Sequence, residues 1–164
     1  MRLELEANRW HVINDNVMGG LSRSEVQPLE PRLLFRGQLS LENNGGFASI
    51  RCRFGQSFAD VTAFHLVVRG DGRRYQFRLR ADESSDSIAW RAAFSTDGSV
   101  QHIELALADF EPVIRGRQVK NAGALNPADI RLLGFMLADR QSGPFRLEVH
   151  AIETSGQHRA ELNQ

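Results

Sequence analysis

Two sets of arginines have the spacing of recognition chemistry. Arg51 and Arg53 form one, and Arg74, Arg78 and Arg80 the other, with the members of each an even number of residues apart. In extended backbone, residues of one parity project from one face, so each set gives a row of guanidinium groups. A guanidinium is planar, stays charged at neutral pH and presents a rigid fork of N–H donors that fits a carboxylate, sulfate or phosphate. Arg91 and Arg146 have the phase to join them. If these segments neighbour one another, the result is an arginine-rich sheet face interspersed with His102, Glu104 and Glu148, able to grip an anion or an acidic protein surface. A solvated face crossed by salt bridges satisfies the same pattern.

Other chemistry is harder to assemble. The sequence has no P-loop, no G-x-S-x-G elbow and no H-E-x-x-H. Gly70-Asp71-Gly72-Arg73-Arg74 has the glycines of a phosphate loop, but it joins two alternating segments and opens no helix, so a β-hairpin turn is expected. The five histidines, from His11 to His158, form no local metal-binding pair. Asn14-Asp15-Asn16 and the trio Asp82, Glu83 and Asp86 offer oxygens of the kind calcium takes, without EF-hand spacing. Such residues beside glycine also bond to backbone and make turns. No nucleophile and base can be paired, so no catalytic residue, cofactor or metal is expected.

The elements that must position these residues read as β-strands. Lys+Arg and Asp+Glu are both 20, so there is no global field for nucleic acid and no nucleic-acid partner is expected. Cys52 is the single cysteine, which excludes an intrachain disulfide and a cysteine-rich zinc site. With 41% apolar residues the chain has the balance of a water-soluble globule. Met1 to Glu6 alternates charge with leucine, and no run approaches the ~20 apolar residues of a membrane span. A cytoplasmic protein with no membrane insertion is expected. The 164 residues suit one domain, 1–164, with a core over about 8–153 and a frayed polar tail over 154–164.

Period-two alternation with glycine-containing turns predicts a sandwich or barrel. Leu33, Phe35, Leu39 and Leu41 read as an inward set bent by a bulge at Gly37. Ala48, Ile50, Cys52 and Phe54 face inward, with Ser49, Arg51 and Arg53 opposite. Phe64, Leu66 and Val68 pair by a hairpin with Tyr75, Phe77 and Leu79. Trp90, Ala92 and Phe94, then Ile103, Leu105 and Leu107, continue inward, and Asp109-Phe110-Glu111-Pro112 ends that strand. Arg115 to Asp129 reads as a long surface loop, where functional contacts often reside. Leu132 to Leu137 is an apolar strand, and Phe145, Leu147 and Val149 face inward on a last one.

Trp10 and Asn14-Asp15-Asn16-Val17-Met18-Gly19-Gly20-Leu21-Ser22 are followed by Phe35-Arg36-Gly37 and by Leu41-Glu42-Asn43-Asn44-Gly45-Gly46-Phe47. Arg69-Gly70-Asp71-Gly72-Arg73-Arg74-Tyr75, Asp109-Phe110, Arg115-Gly116-Arg117, Gly134-Phe135-Met136-Leu137 and Gly143-Pro144-Phe145 complete a set that spans roughly Trp10 to Ile152. In this order and spacing the chain resembles the complex I intermediate-associated protein 30 family. The resemblance implies an all-β sandwich, a jelly roll of the galactose-binding-domain-like type with little helix. It also implies a non-catalytic, protein-binding role as an assembly factor or chaperone, with a respiratory complex subunit among the candidate partners.

The glycine pairs Gly19-Gly20 and Gly45-Gly46 permit close backbone approach, so Asp15, Asn16, Asn43, Asn44 and Arg51 either fasten loop to loop or form a shared binding rim. The candidate contact residues are therefore these, with Arg53, Arg74, Arg78, Arg80, Arg115 and Arg117. Carbohydrate or small-anion binding is the alternative, with Trp10, Tyr75 and Trp90 as stacking platforms if they are accessible.

Overall fold

The computed structural model describes residues 1–29 and 32–156. Strands follow the alternating segments: β1 His11–Asn14, β2 Arg23–Leu29, β3 Arg32–Leu39, β4 Ala48–Arg53, β5 Val61–Arg69 and β6 Arg74–Arg80. Then come β7 Ala89–Ser95, β8 Val100–Ala106, β9 Glu111–Ile114, β10 Arg117–Gln118, β11 Leu132–Leu137 and β12 Gly143–Gly156. They form a seven-stranded sheet, in order β1-β4-β11-β6-β7-β9-β10, and a five-stranded sheet, β2-β3-β12-β5-β8, with antiparallel pairing throughout. This is a β-sandwich jelly roll, and its helical turns are short and 3-10.

The inward sets of the two sheets meet in one aromatic-rich core. Phe64, Phe77, Phe110 and Phe135 contact one another at ring separations of 5.2–6.4 Å, mostly edge-on or tilted, the arrangement the ring quadrupole prefers. Cys52 is buried among them as a small apolar residue. Leu3 is buried too, held by its N–H to Ile152 O at 2.9 Å, so the core begins before residue 8.

Three expectations need correction. Gly70-Asp71-Gly72 is not a hairpin turn: β5 pairs with β12 and β8, whereas β6 pairs with β11 and β7 in the other sheet. Strands that face each other across a core share the inward phase of strands that lie side by side, so alternation fits both arrangements. Asp71 holds the crossing by accepting hydrogen bonds from Tyr75 Oη and from Arg146 N. Nor is there a bulge at Gly37. It pairs in register with Ser24 and Phe145, and a Cβ there would collide with the backbone carbonyl of Arg23, so close strand approach explains the glycine. Leu41, beyond it, is exposed. Residues 154–156 are strand, not tail, since β12 continues through Gly156; the rest of the expected tail, 157–164, lies outside the described residues.

Candidate functional site

Register converts the arginine sets into one surface. On the outer face of the seven-stranded sheet, Arg51 stands opposite Gly134, Gly134 opposite Arg78, Arg78 opposite Arg91, and Arg91 opposite Glu111. The flanking rows are Arg53, Leu132 and Arg80 on one side, and Ser49, Met136 and Gln76 on the other. Because Gly134 has no side chain, a gap remains between Arg51 and Arg78. It forms a cavity of about 20 Å³ with Ser49, Arg80, Leu132 and Met136 also in its wall. A Cβ on Gly134 would lie 2.8 Å from Ile50 O, so strand packing requires the glycine as well.

Arg78 is the floor of this cavity and only 7% exposed. Its Nη1 donates to Gln76 Oε1 at 2.7 Å and to Met136 Sδ at 3.4 Å. Among the described residues no carboxylate pairs with it. Burial, then the positive fields of Arg80, Arg91 and Arg51, push its pKa down to about 9, which leaves it charged at neutral pH. Burial also lowers Arg80 and Arg51, opposed in part by Asp82 and Glu83 respectively. Arg80 donates to Ser84 O at 3.1 Å. Of the four, Arg91 has a carboxylate in an ion pair, Glu111 at 2.7 Å, and that bond with one from Gln118 holds Glu111 below its usual range. Chemically, the arrangement can hold an oxyanion by charge-assisted hydrogen bonds.

The remaining candidates scatter. Arg53 and Arg74 lie exposed on the same sheet face, Arg74 bonded to Ser95 Oγ at 3.0 Å. Arg115 and Arg117 flank the β9–β10 turn at the sheet edge, and Arg115 meets Asp86 at 2.6 Å with both side chains exposed. Asp15 is fully buried and accepts from Ser22 N at 2.9 Å, Ser22 Oγ at 2.6 Å, Gly46 N at 2.7 Å and Phe47 N at 3.3 Å. Burial alone raises its pKa; these hydrogen bonds outweigh burial and hold it below its ordinary 3.8. Gly20 and Gly45 press against this carboxylate, which explains both glycines. Asn16 and Asn43 are exposed, Asn43 with a left-handed φ of 54°, and Asn44 ends the turn Glu42–Asn44.

His102, Glu104, Arg146 and Glu148 do not join the arginine face. They sit on β8 and β12 in the five-stranded sheet, because alternation fixes a side chain's phase but not its sheet. The arginine face is consequently poorer in carboxylates than the sequence reading made it. Gly134, Gln76 and Met136 escaped that reading. The only signal was the phase of Gly134 and Met136 within an apolar run that reads as buried on both sides.

Stacking platforms are scarce. Trp10 and Tyr75 are buried, whereas Trp90 is half-buried and lines a separate cavity of about 430 Å³ with Asp82, Asp86, Asn126 and Asp129. Among the described residues no cluster of three His, Cys, Asp or Glu side chains could hold a metal, and no helix is long and apolar enough to cross a membrane.

Residues 2–149 match the family described as complex I intermediate-associated protein 30. A Caenorhabditis elegans protein named probable complex I intermediate-associated protein 30, mitochondrial, is 31% identical over 120 residues, 70% of this chain and 34% of its own. Its Caenorhabditis briggsae namesake is 31% identical over 108 residues, 62% of this chain and 32% of its own. The chain thus spans about a third of the length of these relatives. In fold it is similar to the family 11 carbohydrate-binding module of a Clostridium thermocellum cellulosomal cellulase, with a TM-score of 0.70, 13% identity and coverage of 96% and 95% of the two chains. The same family's module in complex with a β-1,3-1,4-mixed-linked tetrasaccharide aligns with a TM-score of 0.65 at 14% identity, covering 90% of this chain and 89% of that one.

Proposed function

We infer that this chain, which belongs to the complex I intermediate-associated protein 30 family, is a non-catalytic module that binds a protein partner in an assembly-factor role. The arginine cluster around Gly134 carries this reading: it is a cationic surface on a rigid sheet, and of Arg51, Arg78, Arg80 and Arg91 one is in an ion pair and three are in none among the described residues. A respiratory complex subunit is the partner class that the family description supports. The fold, shared with carbohydrate-binding modules, supports binding over catalysis. One domain is consistent with a core that runs from Leu3 to Ile152. We place the protein in the cytoplasm of its host, although the worm relatives are named mitochondrial. Pulldown of the tagged chain from native cells should recover a protein in stoichiometric amount, less of it with Arg74→Glu or Arg78→Glu. Recovery of no protein at any salt concentration would refute the reading.

A second reading has its own observation. Trp90 beside Asp82, Asp86 and Asn126 supplies an aromatic surface with polar groups around it, the composition of a sugar subsite. Calorimetric titration with the mixed-linked tetrasaccharide distinguishes the two. Saturable binding lost on Trp90→Ala favours carbohydrate, and a flat titration leaves the protein partner.

A further inference from the structure

We propose that Arg78, with Arg51 and Arg80 beside it, is the receptor for a single carboxylate group, supplied by an acidic side chain of the protein partner. The partner half of this rests on the reading above; the carboxylate half stands on the geometry of the cavity.

A guanidinium removed from water is costly unless an anion meets it. Arg78 is largely removed from water, with 7% of its surface exposed, and the groups around it make matters worse: Arg51, Arg80 and Arg91 are all cations, and the one carboxylate in the row, Glu111, is engaged by Arg91 and Gln118. Its own hydrogen bonds leave from Nη1 alone, to a neutral amide oxygen and a thioether. No described group accepts from Nε or Nη2. Yet among the described residues the only fully enclosed side-chain nitrogen or oxygen without a partner is Trp10 Nε1. The spare donors of Arg78 therefore open onto the cavity instead of being sealed in protein.

The size of that opening selects the ligand. About 20 Å³ is room for roughly one or two ordered waters. A planar carboxylate head fits such a space and matches a guanidinium edge in a two-bond fork. A tetrahedral phosphate presents no planar edge to that fork. Leu132 and Met136 in the wall keep the medium apolar, which strengthens a charge-assisted bond made there. Gln76 holds Nη1 and so sets the plane of the fork. Arg51, half-buried across Gly134, is placed to meet the carboxylate from the opposite strand.

The test uses the whole chain and calorimetric titration at fixed ionic strength, with capped triglutamate, capped triglutamine and inorganic phosphate as probes. Triglutamate should bind saturably and triglutamine should not. Arg78→Met should weaken triglutamate binding by about tenfold or more, the worth of a hydrogen bond between charged groups. Arg51→Gln, with Arg78 intact, should weaken it less and serves as the second variant if Arg78→Met does not fold. Absence of saturable triglutamate binding, or equal binding by both variants and the parent, overturns the proposal. Phosphate binding in place of triglutamate overturns the choice of carboxylate. Saturable triglutamate binding together with a pulldown that Arg78→Met leaves unchanged upholds the receptor and sinks the partner.

Discussion

Two largely enclosed arginines, Arg73 with a side chain 10% exposed and Arg78 buried, stand near one another in sequence and are treated oppositely by the fold. Arg73, just before β6, gives Nε and Nη2 to the two oxygens of Asp139 at 2.9 and 2.7 Å, Nη1 to the carbonyls of Gly143 and Pro144, and Nη2 also to the carbonyl of Gln141. Its hydrogen bond to Asp139 outweighs burial and raises its pKa above the usual guanidinium value. Arg78, within β6, lacks a carboxylate among the described residues and is pushed the other way. A buried charge whose donors are all engaged is scaffold: Arg73 ties the loop before β12 to the entry of β6. A buried charge left short of partners lowers stability and is free to meet a group from outside the chain. Asp15 belongs with Arg73, since its oxygens are taken by Ser22, Gly46 and Phe47.

The largest effect should come from Asp139→Ala, which strands Arg73 without its anion and should lower unfolding free energy by about 3–5 kcal/mol in urea titration. Asp15→Asn should cost less, about 1–3 kcal/mol at neutral pH, because an amide cannot accept every hydrogen bond aimed at the carboxylate. Its pH dependence has a definite sign. The folded carboxyl titrates below 3.8, so its contribution is complete above that value and is lost as pH falls further. The gap between parent and Asp15→Asn should therefore narrow in acid, and a gap that widens would place Asp15 elsewhere. Arg115→Ala should be smallest, with no measurable change, since its pair with Asp86 is exposed on both sides.

Much of this was legible in the residues. The phase of Arg51, Arg78 and Arg80 put them on polar strand faces, and the structure places all three around Gly134. The apolar segment Leu132–Leu137 is β11 as read. What alternation could not supply was neighbourhood. Gly70–Gly72 looked like a hairpin and crosses between sheets, while Glu104 and Glu148 had the right phase on the wrong sheet. Strand order depends on packing between segments far apart in sequence, which no local pattern encodes. Gly134 was opaque for the same reason: its importance lies in being flanked by Arg51 and Arg78, from two strands that never touch each other.

The contrast between the two arginines is open to one direct measurement, equilibrium urea unfolding of Arg73→Met and Arg78→Met beside the parent. Arg73→Met should lose about 3–5 kcal/mol by stranding Asp139, whereas Arg78→Met should be neutral or more stable by about 1 kcal/mol or more, as an apolar side chain replaces an uncompensated buried cation. If Arg78→Met loses as much as Arg73→Met, Arg78 is a structural residue with its needs already met, and the cavity above Gly134 is not a receptor.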